Sequence, residues 1–187
     1  MFLYKFIFHT LLGWKIEGDL HQNLKKSLII VVPHTSWHDF YVGVFTRKLS
    51  GTQINFVGKK ELFTWPFGYY FRWMGGAALD RSKNQNKVDA IAKIFNENKE
   101  FRLAMAPEGT RKKVDAWRTG YYYIAQKANI PIVPVAFDWE FKTVRIFDKF
   151  EITNDIEKDT VFLRSLFKGI KGKKPKKSRY IMRLLYF

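Results

Sequence analysis

Short apolar runs alternate along this chain with segments that carry apolar residues at helical spacing. The runs that read as strands are 28–32, 54–57, 77–79, 101–105, 132–137 and 143–152. The segments that read as helices are 37–49, 87–98 and 116–128. This alternation predicts an α/β fold, because parallel strands need long crossover connections and helices usually provide them. We expect a single domain with a largely parallel mixed sheet flanked by helices, and ligands beyond the carboxyl ends of its strands.

The length of 187 residues is sufficient for one domain with a sizeable core. We divide the chain into an apolar N-terminal segment at 1–27, a main domain at 28–167 and a basic tail at 168–187. Between residues 168 and 183 the tail has eight Lys or Arg residues and no acid. Such a tail is either solvated or a contact for an anionic lipid surface.

The overall charge points to an anionic partner. The chain has 33 Lys and Arg against 17 Asp and Glu, a formal net charge of +16. Nucleic acid, anionic lipid headgroups and phosphorylated substrates all fit this charge. An aromatic content of 18% exceeds the needs of a core this size, so some aromatic surface is expected to face a ligand or a membrane interface. Because there is no cysteine, disulfides, thiol nucleophiles and thiolate metal sites are excluded.

The N-terminal residues 1–14 are apolar but are interrupted by Lys5 and His9. No uninterrupted apolar run of about 18 residues exists, so we predict no transmembrane helix. A secretory signal is not expected either, because no small-residue cleavage site follows. Two interpretations remain open for this segment. It is an interfacial helix with Trp14 and the lysines at headgroup level, or a first helix packed on the domain.

His34 and Asp39 follow the first strand-like run. Residues five apart lie about 140° apart on a helix, so His34 must precede the helix and Asp39 lies in its first turn. A histidine oriented by a carboxylate is a ready general base. A capping box from Ser36 to Asp39, with His34 as an ordinary loop residue, explains the pattern equally well. Zinc binding by His34, His38 and Asp39 is not expected, since no Glu follows the first His and no third, distant His has supporting context.

Two further segments follow strand-like runs. Asp80 and Arg81 come after a glycine-rich third run, and Pro and Gly mark residues 107–111 as a turn after the fourth run. Taken alone, Arg81 either forms a salt bridge with Asp80 or is a surface charge. The aromatic run 65–74 is either core, the lining of an apolar ligand groove or a bilayer contact.

Together, in this order and spacing, these segments resemble the signature blocks of the glycerophospholipid acyltransferase family, which includes the 1-acylglycerol-3-phosphate acyltransferases. The first block of the family is His, four residues, Asp, and the third is Pro-Glu-Gly-Thr-Arg, which residues 107–111 match as they stand. The resemblance covers about residues 28–137. Pro33 stands where the family often has Asn, and Ala106 where it often has an aromatic residue.

The resemblance implies the glycerol-3-phosphate acyltransferase-like fold and a set of roles. By that likeness His34 takes the proton from the acceptor hydroxyl, and Asp39 holds its ring and stabilises the imidazolium. Contact between Arg81 and the acceptor phosphate is also implied. The remaining residues for which substrate binding is implied are Lys59, Glu108, Gly109, Thr110 and Arg111.

The function expected from the resemblance is an O-acyltransferase of phospholipid biosynthesis, peripheral on the cytoplasmic face of an anionic membrane. It moves a fatty acyl group from acyl-CoA or acyl-carrier protein directly to a lysophospholipid-like acceptor, 1-acylglycerol-3-phosphate by default, without a metal or organic cofactor. Another lyso-lipid or an aminolipid is the alternative acceptor. A basic membrane- or nucleic-acid-binding domain without catalysis is the alternative of another class. Nucleic acid is disfavoured, because no recognised motif appears and the basic residues cluster in the tail.

Overall fold

A computed structural model describes residues 2–79 and 86–177. Six α-helices are assigned within those ranges: α1 (Phe2–Lys5), α2 (His38–Ser50), α3 (Gly68–Trp73), α4 (Lys87–Glu97), α5 (Gly120–Ala128) and α6 (Ile156–Ser165). The strands are β1 (Lys15–Glu17), β2 (Lys26–Val32), β3 (Phe56–Lys59), β4 (Gly76–Leu79), β5 (Phe101–Met105), β6 (Ile132–Asp138) and β7 (Thr143–Ile146). A π-helical turn, Phe6–Leu11, continues α1, and short 3-10 turns occupy Lys60–Phe63 and Pro175–Lys177.

The main sheet has five strands in the order β1-β7-β6-β2-β5. β2 runs parallel to both β5 and β6, whereas β7 is antiparallel to β6 and parallel to β1. β3 and β4 form a parallel pair, and a parallel bridge from Asn55 to Leu103 brings that pair beside β5. The carboxyl ends of five neighbouring strands therefore point to one edge of the fold. This mixed, largely parallel arrangement confirms the α/β prediction.

Burial on both faces explains why β2 reads as a continuous apolar run. Alternate residues point to opposite faces. Leu28 and Ile30 enter a core with α4 and α5, and Ile29 enters a second core with Phe8 and Val42. Each such side chain contributes about 1.5–3 kcal/mol when fully buried.

The helix predicted at 116–128 begins only at Gly120, so its first four residues were wrongly predicted. The Arg118 N–H donates to the Pro107 carbonyl oxygen at 2.9 Å, and the Trp117 side chain is buried. These contacts hold the residues before α5 against the turn at 107–111 instead of in a helix.

The strand predicted at 143–152 is also wrong beyond its first four residues. β7 ends at Ile146, where the ladder meets Pro134 in β6. The Phe147 N–H donates to the Pro134 carbonyl oxygen at 3.0 Å, but proline has no N–H to return. Pairing resumes only as a single bridge between Ile132 and Phe150.

Three elements were not predicted: β1, α3 and α6. β1 joins the main sheet although it lies in the apolar N-terminal segment. α3 lies in the aromatic run 65–74. Most of that run is not core, since five of the run's aromatic side chains are exposed: Trp65, Phe67, Tyr69, Tyr70 and Trp73. β3 lies two residues beyond its predicted position.

The N-terminal segment packs on the domain. Phe8 is buried and stacks on Phe45 with ring centroids 5.4 Å apart. The placement of Trp14 at headgroup level is wrong, because its side chain is only 2% exposed and its ring meets Trp139 edge-on at 4.9 Å. Phe2 and Phe6 remain exposed. Among the described helices, none has both the length and the apolar character needed to cross a bilayer.

Candidate active site

The ends of three adjacent strands build the site. β6, β2 and β5 are parallel neighbours, so their carboxyl ends meet at one edge of the sheet. His34 lies two residues after β2, Glu108 three residues after β5, and Trp139 directly after β6. The sheet topology thus brings together residues far apart in sequence.

His34 and Asp39 are in direct contact. Nδ1 of His34 lies 3.0 Å from Oδ2 of Asp39. As the spacing predicted, His34 precedes α2 and Asp39 lies in its first turn. The His34 side chain is 29% exposed, so part of the ring is accessible from solvent.

The Asp39 carboxylate is 3% exposed and accepts hydrogen bonds on both oxygens. Its Oδ2 atom accepts from the backbone N–H groups of Thr35 and Ser36, each at 3.0 Å, besides contacting His34. Its Oδ1 atom accepts from the Trp139 indole N–H at 2.8 Å. Because a carboxylate only accepts, Nδ1 of His34 must donate, which leaves Nε2 as the ring nitrogen that accepts a proton.

The capping interpretation of Asp39 is partly realised. The Ser36 N–H donates to Asp39, which is one half of a capping box. The Ser36 hydroxyl does not complete the box, because its Oγ lies 2.8 Å from Nδ1 of His38. The residue at the N-cap is Trp37, which makes no side-chain cap. The same carboxylate therefore organises the start of α2 and orients His34.

Glu108 ties the third block to the first. Its side chain is buried, and its Oε2 atom accepts the His34 backbone N–H at 2.8 Å. This bond spans the ends of β5 and β2 and fixes the main chain of the catalytic candidate. The substrate-binding role expected for Glu108 stays a prediction.

Residues 109–111 continue from Glu108 as a tight turn. Gly109 has φ of +66°, a left-handed conformation that favours glycine, and a Cβ there would lie 2.6 Å from Cδ of Arg118, so the Arg118 side chain would have to shift. The Thr110 hydroxyl oxygen accepts the Lys112 N–H at 3.2 Å. Arg111 is exposed at the tip. The substrate-binding roles expected for these three residues also stay predictions.

Two further residues, Lys59 and Arg81, were expected to bind substrate. Lys59 is the last residue of β3, whose carboxyl end points to the same edge of the fold as that of β2. Arg81 lies outside the described residues, after the carboxyl end of β4. Within residues 2–79 and 86–177, no group of three or more His, Asp or Glu side chains is arranged so that it could hold a metal ion.

Trp139 is one of two site residues that the sequence interpretation missed. Its indole bonds Asp39, and the Lys173 ammonium lies 4.9 Å from the centroid of its ring. The available signal was its position directly after the apolar run 132–137, at the carboxyl end of a predicted strand.

His38 was also missed as part of the site. Its ring lies against Trp37, Tyr41 and Trp139, with centroids 4.1, 5.6 and 6.1 Å away. The pKa of His38 is lowered below its ordinary value. The largest cause is the loss of solvent around its ring, and the second is the positive charge of Lys173.

Comparison with known proteins gives a consistent result. The family model described as Acyltransferase matches residues 14–138. The 1-acyl-sn-glycerol-3-phosphate acyltransferase of Streptococcus pneumoniae is 33% identical over 138 residues, which cover 68% of this chain and 50% of that protein. The enzyme of the same name from Saccharomyces cerevisiae is 30% identical over 138 residues, covering 69% of this chain and 45% of that protein. The chain spans about half the length of these curated relatives.

A solved structure shares the fold. The crystal structure of the 1-acyl-sn-glycerophosphate (LPA) acyltransferase from Thermotoga maritima superposes with a TM-score of 0.58 at 21% sequence identity. The match covers 84% of this chain and 70% of that one. It confirms the fold class predicted from the sequence.

Proposed function

This chain belongs to the acyltransferase family, and we propose that it transfers a fatty acyl group from a thioester donor to the free hydroxyl of 1-acylglycerol-3-phosphate. The observation that carries the proposal is the contact between His34 and Asp39, 3.0 Å between Nδ1 and Oδ2, at the carboxyl edge of the sheet. The names of the relatives support the acceptor.

His34 acts as the general base in the proposed reaction. Nε2 takes the proton of the acceptor hydroxyl while Asp39 stabilises the resulting imidazolium. The activated oxygen attacks the thioester carbonyl carbon and forms a tetrahedral intermediate. Its collapse forms the ester and expels the donor thiolate, which takes the proton back from His34. Transfer is direct in this proposal, with no covalent acyl-enzyme and no cofactor.

The proposed acceptor site is the basic edge around this dyad. Arg81, Lys59 and Arg111 are the cations that we assign to the acceptor phosphate, with the turn at 109–111 closing one side. The donor is acyl-CoA or acyl-carrier protein, both of which carry negative charge. A net charge of +16 favours the encounter with either.

We place the reaction at the cytoplasmic face of a membrane, to which the protein attaches peripherally. The exposed aromatic side chains of residues 65–73 and the positive charge support this placement.

The test is acyl transfer by the purified chain, with labelled acyl-CoA and acyl-carrier protein against a panel of lyso-lipids and aminolipids. We expect 1-acylglycerol-3-phosphate to be acylated and His34→Ala to lose at least about 100-fold in kcat. His21→Asn is the matched control, because Asn tolerates the positive φ of 50° at that position, and it should keep its activity.

Each alternative has its own outcome. Acylation of another lyso-lipid or an aminolipid in preference would reassign the acceptor. Equal activity of His34→Ala would remove His34 from the mechanism. No product with any pair, together with retained vesicle or DNA binding, would make the chain a non-catalytic binding domain.

A further inference from the structure

Residues 171–174, which we call the C-terminal strap, lie across the loop that carries His34. The main-chain oxygen of the first strap residue accepts the Trp139 N–H at 2.9 Å, and the N–H of the last donates to Oγ1 of Thr35 at 3.2 Å. A Cβ at Gly172 would lie 2.6 Å from Oγ1 of Thr35, so the strap backbone packs directly on the loop. The strap follows the part of the chain that the family model matches.

The lysines of the strap differ in their pairing. Nζ of Lys171 lies 2.7 Å from a carboxylate oxygen of Glu140, so its charge is compensated. Nζ of Lys173 lies over the ring of Trp139, which holds the ammonium without neutralising it. In the described part of the chain, neither Lys173 nor Lys174 forms an ion pair with a carboxylate. The strap thus carries two charges that no described carboxylate compensates, and one of them is held on the ring of Trp139.

Both charges lie beside the proposed chemistry. Lys173 rests on the indole that bonds Oδ1 of Asp39, and Lys174 is bonded through its backbone to Thr35, whose own N–H bonds Oδ2. Their field reaches α2 as well. After the loss of solvent around the ring, Lys173 and then Lys174 contribute to the lowered pKa of His38.

We propose that Lys173 and Lys174 form a phosphate-binding subsite beside His34. The inference rests on the proposed function, in which both substrates carry phosphate groups: the acceptor a phosphomonoester, and the donor the phosphates of CoA or of the carrier's pantetheine arm. The ammonium group of lysine binds a phosphate group as a point charge. A strap bonded at both ends and a cation held on an indole define a fixed position, which favours a small anion over a diffuse membrane surface.

The test compares two double variants of the full chain that remove the same charge. Lys173→Gln/Lys174→Gln removes the subsite, whereas Lys171→Gln/Lys176→Gln changes a paired lysine and an exposed one outside it. In mixed micelles of neutral detergent, we expect the first variant to raise KM for one phosphate-bearing substrate about tenfold, with kcat changed less than about twofold. The control should change KM less than about twofold.

Substrates without phosphate identify which group is bound. If the KM effect disappears with a monoacylglycerol acceptor, the subsite binds the acceptor phosphate. If it disappears with an S-acyl-pantetheine donor, the subsite binds the donor phosphate. Equal effects in both double variants, or unchanged KM values with weaker binding to anionic vesicles, would overturn the proposal in favour of net charge or a membrane contact.

A binding measurement that needs no turnover separates this inference from the proposed function. Glycerol phosphate and CoA are titrated into the wild type, the two double variants and His34→Ala by calorimetry. We expect about tenfold weaker binding of one of the two ligands only when Lys173 and Lys174 are replaced. Equal binding by all four proteins would overturn the subsite, whether or not acyl transfer is found.

Discussion

At the scale of single residues, Asp39 organises the candidate site. Its buried carboxylate bonds the ring of His34, two backbone N–H groups and the indole of Trp139. Each bond restricts the carboxylate, and through it the ring of His34. The orientation of the His34 ring, which we propose as the base, therefore depends on a tryptophan that bonds Asp39.

Trp139→Phe should impair catalysis without unfolding the protein. Phenylalanine keeps most of the ring but cannot donate to Oδ1 of Asp39, so the carboxylate is less restrained. We expect kcat to fall about tenfold, the cost of one hydrogen bond to a charged group. Because the substitution acts on the orientation of His34 and not on the substrate contacts, KM should change less than about twofold.

The comparison of kcat with KM distinguishes positioning from a structural role. A variant that merely loosened the fold would raise KM and lower kcat together, whereas Trp139→Phe should lower kcat alone. Trp65→Phe, at a side chain that is 93% exposed, serves as the control and should match the wild type in both measurements.

The relative position of His34 and Asp39 could be predicted from the sequence because the two residues are close together in the chain. Five residues separate them, and the start of a helix between them determines their geometry. Trp139 contacts Asp39 from 100 residues away, through the pairing of β2 and β6. No local pattern around Trp139 encodes that contact, so only the topology could supply it.

At the scale of elements, a pair of tyrosines fastens α5 to α6. The Tyr121 hydroxyl lies 2.9 Å from Oγ1 of Thr160, and the Tyr122 hydroxyl donates to Oδ2 of Asp159 at 3.0 Å. Asp159 is buried and also accepts from the backbone and hydroxyl of Thr153. Since α5 follows the turn at 107–111 in the chain, these hydrogen bonds hold the helix that comes after this part of the candidate site.

Tyr122→Phe should lower the free energy of unfolding by about 1–2 kcal/mol, because it leaves a buried carboxylate short of one donor. Tyr123→Phe is a matched control on the next residue, where the side chain is 42% exposed, and should change stability by less than about 0.5 kcal/mol. Urea unfolding monitored by circular dichroism measures both. Equal effects of the two substitutions would contradict the role assigned to Asp159.

The same tyrosine predicts a change in stability at alkaline pH. Burial, with the neighbouring Asp159, raises the pKa of Tyr122 from 10.0 to about 12. The folded chain then holds a proton that the unfolded chain loses, so this contribution is complete below pH 10 and decreases as pH rises to about 12. The stability difference between wild type and Tyr122→Phe should narrow over that interval.

Element boundaries were predictable only where one local pattern decided them. α4 matches its predicted range almost completely, because its apolar residues keep helical spacing and Asn86 caps its start. β7 was overestimated because alternation continues past Ile146 while its partner strand presents Pro134. α3 was missed because an aromatic run has no contrast between its faces.

At the scale of the whole molecule, exposed aromatic side chains are concentrated in residues 65–73. Trp and Tyr favour the boundary between water and lipid, where their amphipathic rings lie at headgroup level. A basic protein with such a patch is suited to the surface of an anionic bilayer.

Replacing Trp65 and Trp73 together by serine should weaken binding to anionic vesicles about tenfold, since burial of aromatic surface is lost while charge is unchanged. Phe141→Ser is the control, because Phe141 is also exposed but lies between β6 and β7. Vesicle co-sedimentation at constant ionic strength measures both. Unchanged binding of the double variant would locate membrane contact elsewhere.

The loop that carries His34 also sets an order of events during synthesis. Glu108 and the backbone of Lys174 bind His34 and Thr35 in this loop, from 74 and 139 positions later in the chain. Trp139 binds Asp39, in the first turn of the helix that follows the loop, from 100 positions later. A ribosome must translate 139 residues beyond Thr35 before the last of these partners exists. A nascent chain that already contains His34 and Asp39 therefore holds the candidate dyad without these contacts, and the loop is complete only after Lys174 has been translated.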